Sequence, residues 1–432
     1  MSLKLYQKIA IGAGALVAAA SLLAMQPSDP AVHEGSEAAA SHVRLAALEP
    51  AARRDVDYAA LDGRLRQLIA KPGMVGLAVG VVENGRITFL KGYGETHRGS
   101  GDPVTPDTVF RWASVSKGVA ATMVAKLAEQ GKINLNAPVA KYAPDLKLPA
   151  GNEYRATVAD LLSHRLGLYR NAYDNKLEEG MNPSFLRHNL ALLNATCAPG
   201  TCWSYQNVAF DASSEMVARV TGLPYPLAVQ RYLFNPIGMT HASVTMAALM
   251  ANPSWARPHG AGGRELPMLD TYYRVPGAGG INSNIKDMSL WMLAQMGEMP
   301  DVLDGSVLAT IHAPYVKTPT ERGRLRQYLE RLGDAWYGFG WRSYEYAGHR
   351  LIGHRGGING YRSLILFDPA LKSGVVALWN SNDSQPGGLE FEVIDQLYHL
   401  PFRDWLKLGG GSETSAQSPL AEVADSASQG NN

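Results

Sequence analysis

Residues 75–82 form an apolar run, Asn84-Gly85 follows, and a second apolar run covers residues 87–90. Asn-Gly between two such runs predicts a β-hairpin, because both turn positions need positive φ. Beyond Ser116 the period changes. Val119, Met123, Lys126 and Leu127 recur at three- and four-residue intervals, which predicts a helix over residues 116–129 with Gly131 able to cap its end. Residues 158–162 and 207–220 also read as helices, the latter closed by Gly222. Near the other end, residues 361–367 and 374–379 read as short strands joined by a turn that starts at Asp368-Pro369, and a last helix is predicted over residues 389–400. Strands at both ends with helices between them indicate one sheet formed from the chain termini, packed with a helical insert.

Outside that periodic stretch the pattern breaks down. Lys4 and Lys8 make a basic start, and Ile9 to Met25 follow as 17 residues without charge. The run is slightly short for a bilayer span and long for a signal-peptide core, so residues 1–25 are read as an export signal, either cleaved or retained as an N-terminal anchor. Residues 26–54 are an Ala/Ser/Pro/Glu linker with no packing period. From Gly409 a Ser/Ala/Gln/Asn tail runs to Asn432, too polar to bury a face. The folded domain is placed at residues 55–408, in a protein expected in the periplasm or outside the cell.

Composition adds mainly exclusions. The 432 residues are 46% hydrophobic and 18% charged, with 40 basic against 39 acidic. Such a balance offers no basic field for nucleic acid and no disordered polyelectrolyte. Two cysteines exclude a disulfide-dense scaffold and a four-cysteine zinc module. No His-Glu-x-x-His or close histidine pair marks a metal site, and no cofactor is expected.

The chemistry centres on Ser114-Val115-Ser116-Lys117, at the head of the apolar helix. Serine and lysine three residues apart share one face of a helix, so the amine can take the hydroxyl proton. A serine at a helix N-terminus also offers its own N–H to a developing oxyanion. The spacing alone is cheap, since Ser283-Asn284-Ile285-Lys286 repeats it. Order narrows the choice. Tyr-x-Asn occurs at Tyr169, Tyr173 and Tyr205, but only Tyr205-Gln206-Asn207 follows a Pro-Gly turn (Pro199-Gly200) and opens into an apolar helix. Downstream, His354-Arg355-Gly356-Gly357 supplies a basic residue-x-Gly, with Lys372-Ser373-Gly374 as a rival that also reads as ordinary turn chemistry.

Five segments together resemble a known family: Phe110-Arg111-Trp112-Ala113-Ser114-Val115-Ser116-Lys117, Val158-Ala159-Asp160-Leu161-Leu162-Ser163-His164, Pro199-Gly200 with Tyr205-Gln206-Asn207, Gly279-Gly280-Ile281-Asn282-Ser283, and Gly353-His354-Arg355-Gly356-Gly357. In that order they resemble the serine β-lactamase and penicillin-binding family, and within it the class C group with its D,D-peptidases and esterases. The resemblance covers residues 61–400. It implies an α/β fold of the α+β type: a mostly antiparallel sheet from both chain ends, flanked by helices, with a helical subdomain inserted. It also implies that Ser114 forms the acyl-enzyme and that Lys117 and Tyr205 share the base role. Asn207 would bind the substrate's side-chain amide, and the N–H groups of Ser114 and Gly357, next to Gly356, would hold the oxyanion. His354 would help hold the substrate carboxylate, at a position where most of the β-lactamases carry lysine. A protonated His354 would do so better, which predicts a substrate KM that rises as pH climbs through a pKa near or above 6.5. The implied substrates are small molecules: a β-lactam first, then a D-Ala-D-Ala peptide or an ester, with a penicillin-binding sensor that does not turn over as a further alternative.

Three features remain. Cys197 and Cys202 flank the Pro-Gly turn and, in an exported chain, read as a disulfide contributing about 2 kcal/mol by the chain-entropy estimate; two free buried thiols are the alternative. His164 reads as a hydrogen-bonded structural residue. The Arg/Lys-rich residues 317–331 read as a solvated helix over the site.

Overall fold

The computed structural model describes residues 54–409; the segments expected to be an export signal, most of the linker and the tail lie outside them. Ten strands are present among these residues: β1 (Gly76–Glu83), β2 (Arg86–Gly94), β3 (Phe110–Arg111), β4 (Asn282–Ser283), β5 (Val316–Lys317), β6 (Leu332–Tyr337), β7 (Arg342–Tyr346), β8 (His349–Ile358), β9 (Tyr361–Asp368) and β10 (Ser373–Trp379). Eight of them form one antiparallel sheet in the order β2-β1-β10-β9-β8-β7-β6-β5, while β3 and β4 pair separately. The first hairpin and the last strands thus meet in one sheet, through β1 against β10, with the hairpin forming its edge. Asn84 and Gly85 take the positive φ (51° and 73°) that their turn requires.

The sheet is buried on both faces. Leu77, Val79 and Val81 of β1, Val375 and Ala377 of β10, and Leu364 and Leu366 of β9 enter one core with the helices Tyr58–Ile69 and Leu389–Leu397. Their neighbours Ala78, Val82, Val376, Leu378, Ile365 and Phe367 enter the other, with the helices Ser116–Glu129 and Ile285–Gln295. Alternate side chains point to opposite faces of a strand, so two cores turn the sequence of a central strand into an unbroken apolar run. The helix Ser116–Glu129 coincides with its expected limits. The helix Val158–Leu162 does too, started by a capping box between Thr157 and Asp160.

Elsewhere the structure differs from the expectation. The helix expected from Asn207 runs only over Ala212–Thr221, closed by Gly222 in the left-handed region (φ 70°). Before it, the N–H groups of Ala212, Ser213 and Ser214 bond to carbonyls three residues back, and the Asn207 side chain is held by other segments. The last helix ends at Leu397. Residues 317–331 are not one helix but two short pieces, Pro319–Arg324 and Arg326–Tyr328, with Thr318, Glu321 and Tyr328 buried.

His312, at the end of the helix Gly305–His312, packs against Trp341 and Phe367 and bonds Gln295 Oε1 through Nε2 (3.0 Å). Burial, reinforced by Arg350, lowers its pKa from 6.5 to about 3. Between those two values the unfolded chain binds a proton that the folded protein refuses. The stability present above pH 6.5 is therefore lost as pH falls toward 3, by about 2 kcal/mol from this group at pH 5. His312→Asn is expected to lose less Tm than the wild type when pH drops from 7 to 5. Equal losses in the two melting profiles would count against the neutral buried imidazole.

Candidate active site

Ser114 sits in a 3-10 turn, Ala113–Val115, that feeds directly into the helix Ser116–Glu129. Ala113 has φ 50°, a left-handed conformation that costs a non-glycine residue about 1 kcal/mol or more. The surroundings impose it. Trp112 O accepts from Ser363 Oγ of β9 (2.5 Å), Trp112 N–H donates to Ile281 O (2.8 Å), and Trp112 Nε1 donates to Ser283 Oγ (2.8 Å). The turn is thereby clamped between the sheet and β4, with the Ser114 side chain left partly exposed.

One helical turn on, Lys117 is fully buried. Its Nζ donates to Asn207 Oδ1 (2.6 Å), Ala278 O (2.9 Å) and Ser114 Oγ (3.4 Å), and no carboxylate lies within ion-pair distance among the described residues. Three acceptors use all the donors of an ammonium. The same nitrogen lies 4.8 Å from the centre of the Tyr205 ring, and the guanidinium carbons of Arg170 and Arg342 lie 5.5 and 5.8 Å from it. The Tyr205 hydroxyl forms no hydrogen bond with the described residues. Three cations thus surround one phenol.

Behind the tyrosine runs a chain of neutral groups. Gln206 N–H donates to His164 Nδ1 (3.2 Å), His164 Nε2 meets Tyr337 Oη (3.2 Å), Tyr337 Oη meets His354 Nε2 (3.2 Å), and His354 Nδ1 meets Arg355 O (2.7 Å). The two ends fix the tautomers: His164 donates from Nε2, Tyr337 donates to His354 Nε2, and His354 donates from Nδ1 to the carbonyl. Burial holds both imidazoles well below their usual pKa, helped by Lys117 and Arg342. His354 is therefore neutral, and both of its nitrogens are engaged. This corrects the expectation of a histidine titrating near 6.5, and with it the predicted rise of KM with pH.

Gly356 and Gly357 serve different needs. The two-residue turn Asn359-Gly360 makes Ile358 and Tyr361 a hydrogen-bonded pair, so bonding alternates through Gly356–Ser363 and His354–Ile365. Arg355 and Gly357 turn their backbone groups to the opposite edge of β8. On that edge β7 pairs only as far as Arg342 opposite Gly353, because the chain before Arg342 swings away and Gly340 N–H bonds Leu162 O (3.1 Å). The Gly357 N–H is thus an unpaired strand donor beside the Ser114 turn. Gly356 permits that closeness: a Cβ there would lie 2.3 Å from Trp112 O and 2.2 Å from Ser363 Oγ.

The competing motifs lie elsewhere. Ser283 Oγ accepts from Trp112 and donates to Asn284 O (2.8 Å), whereas Lys286 lies outside, on Asp107 (2.6 Å). Lys372 occupies a turn with φ 49° and pairs with Glu298 (2.6 Å). Cys197 and Cys202 form a disulfide just upstream of Tyr205. Sequence reasoning missed Asp174, Tyr337 and Arg342. Asp174 Oδ2 accepts from Asn207 Nδ2 (2.6 Å), which orients the amide oxygen toward Lys117 and leaves Asn207 one free N–H. It belongs to the discarded Tyr173-Asp174-Asn175, and no spacing signal distinguishes it.

A family model described as Beta-lactamase matches residues 61–398. The chain belongs to the beta-lactamase family. Among curated relatives, an unguisins hydrolase of Aspergillus campestris is 26% identical over 361 residues, covering 80% of this chain, which spans 64% of that protein's length. The D-alanyl-D-alanine-carboxypeptidase/endopeptidase AmpH of Escherichia coli is 29% identical over 225 residues (51% of this chain, 57% of AmpH). Esterase EstB of Burkholderia gladioli is 32% identical over 213 residues (45% and 54%). The fold is shared with an octameric penicillin-binding protein homologue of Pyrococcus abyssi (TM-score 0.71, 23% identity, 80% and 78% covered). It is also shared with a class C beta-lactamase (TM-score 0.66, 21% identity, 79% and 98% covered). Among the relatives of this family are proteins named as a carboxypeptidase/endopeptidase and as an esterase, of which the chain spans 57% and 54% of the length.

Proposed function

We propose that this protein hydrolyses small amides or esters, a β-lactam ring among them, through an acyl-enzyme on Ser114. The carrying observation is that Ser114 Oγ, Lys117 Nζ, the Tyr205 ring and the unpaired Gly357 N–H gather around the Ser114 turn. Because all three N–H directions of Lys117 are taken, its ammonium orients Ser114 Oγ while Tyr205 receives the serine proton. Ser114 Oγ bonds to the carbonyl carbon, the oxyanion rests on the N–H groups of Ser114 and Gly357, and the C–N or C–O bond breaks as Tyr205 returns the proton to the leaving atom. Water then gives a proton to Tyr205 as its oxygen bonds to the acyl carbon, and the bond to Ser114 Oγ breaks as Tyr205 passes that proton to the serine oxygen, releasing the acid and restoring both residues.

The neutral His354 favours a D,D-carboxypeptidase or esterase over an efficient β-lactamase. Positive charge for a leaving-group carboxylate comes instead from Arg342 and Arg170, two cations beside Tyr205 that share the one carboxylate of Glu321 (3.2 and 3.6 Å). The charge-free run of residues 9–25 after a basic start, together with the disulfide, supports export.

Incubation with a labelled penicillin should place a mass-spectrometric adduct on Ser114. Parallel kcat/KM values for a penicillin, a D-Ala-D-Ala peptide and a short acyl ester should rank the penicillin last. An adduct on another serine would overturn the nucleophile, and a penicillin that ranks first would overturn the ranking.

A further inference from the structure

A cavity of about 620 Å³ opens beside Gly357, lined by Arg111, Tyr272, Ile358, Asn359, Arg362 and Glu178 among others. Its place along β8 says which part of the substrate it meets. Arg342 and Tyr205 stand at the Gly353–His354 end of the strand, where the leaving group collects its proton, so the retained acyl group extends toward Ile358 and Asn359.

The cationic wall of this cavity is short of partners. Arg111, on β3 three residues before Ser114, is 3% exposed. Its guanidinium lies 4.0 Å from the Tyr273 ring and Nη1 donates to Leu269 O (3.2 Å), while Nε and Nη2 are buried with no hydrogen-bond partner. Arg362, opposite Gly357 on β9, bonds only neutral acceptors: Ile358 O (2.8 Å), Tyr361 O (2.8 Å), Asn382 Oδ1 (3.1 Å) and Asn382 O (3.4 Å). Its Nε lies 3.3 Å from where a Gly357 Cβ would be, so the guanidinium runs along the backbone that carries the oxyanion donor. The acids near these arginines form no ion pair with them, although Asp383 acts on Arg362 through space. Asp270 is held by Arg274 (3.7 Å), and Asp383 accepts from Gln385 N–H (2.8 Å). Glu178, the one acid in the lining, accepts from Tyr272 Oη (3.0 Å). Buried arginines ordinarily meet carboxylates or phosphates, and unmet guanidinium donors are costly.

We propose that Arg111 and Arg362 form an anion subsite for the acyl half of the substrate, selecting acyl groups that carry a carboxylate. The inference rests on the reading of Ser114 as nucleophile. It places the substrate's negative charge on the acyl side, a selection separate from any leaving-group carboxylate near Arg342.

Two esters with one leaving group test it: the p-nitrophenyl monoester of glutaric acid and p-nitrophenyl valerate, equal in chain length and differing in the terminal carboxylate. The wild type is expected to prefer the glutaryl ester in kcat/KM. The glutaryl-to-valeryl ratio should fall about tenfold in Arg362→Gln and in Arg111→Gln, the lower end of what hydrogen bonds to charged groups contribute. Arg111→Lys should restore part of the ratio. If Arg111→Gln does not fold, Arg362→Gln decides alone. A ratio that neither substitution moves, or a wild type that prefers valerate, overturns the subsite and leaves the nucleophile standing. Absence of Ser114-dependent hydrolysis of both esters overturns the nucleophile and the subsite together.

Discussion

Lys117→Met is expected to lower kcat for ester hydrolysis by about 10³-fold or more, the scale of disabling the proton transfer from Ser114 to Tyr205 that its ammonium positions. Removal of the nucleophile in Ser114→Ala, or of the proton acceptor in Tyr205→Phe, should cost as much. Lys117 Nζ touches Ser114 Oγ, Asn207 Oδ1 and Ala278 O and lies over the Tyr205 ring, so its loss misplaces the serine and removes one of the three cations around the phenol. The fold should survive. A buried cation with no carboxylate partner carries a desolvation cost, which its removal offsets against two unsatisfied acceptors at about 1–3 kcal/mol each. Steady-state kinetics together with a thermal melt separate the two effects. A variant that melts near the wild-type temperature and keeps kcat within tenfold of wild type would remove Lys117 from the mechanism.

Gly356→Ala and Gly357→Ala should differ sharply although they are neighbours. At position 356 the new Cβ would lie 2.2 Å from Ser363 Oγ, 2.3 Å from Trp112 O and 3.0 Å from Ala113 Cβ. Backbone and a clamped hydroxyl cannot yield cheaply, so β8 must back away from the turn that carries Ser114. Separating the two oxyanion donors is expected to cost about 10²- to 10³-fold in kcat, as loss of a single donor does. At position 357 the three atoms nearest the Cβ all belong to the Arg362 side chain, at 3.2 to 3.4 Å. That side chain can shift, and the N–H stays in place. Gly357→Ala should therefore lose less than tenfold on a neutral ester. Comparable losses in both variants would show that the approach of β8 to Trp112 does not set the geometry.

Much of this was legible in the chain. Asn84-Gly85 between apolar runs set the first hairpin because its chemistry is local, and the limits of the helix Ser116–Glu129 followed from periodicity. The order of Ser114, Lys117, Tyr205, Asn207 and Gly356-Gly357 picked out a candidate site whose residues the fold brings together, whereas Ser283 and Lys372, whose spacing alone was equally good, lie apart from it. Local pattern failed where a segment is held from several directions. The start of the helix after Asn207 moved to Ala212 because Asn207 and Phe210 pack around Lys117, and residues 317–331 broke in two at Leu325, just after the piece in which Glu321 is held by Arg342 (3.2 Å).

The charge state of His354 was beyond the sequence altogether. Its residue type sets a reference pKa, but its environment comes from Tyr337 on β6, Arg342 on β7 and Lys117 on a distant helix. Desolvation and the field of like charges act through space, without respect for sequence separation. Asp174 was hidden for the same reason, since its contact with Asn207 spans 33 positions. Sequence by itself determined which residue types were available and in what order, because motif order and periodicity are properties of the chain. Tertiary structure alone decided which imidazoles stay neutral, which backbone N–H is left unpaired, and which arginines lack an anion, because burial and strand pairing exist only once distant segments meet.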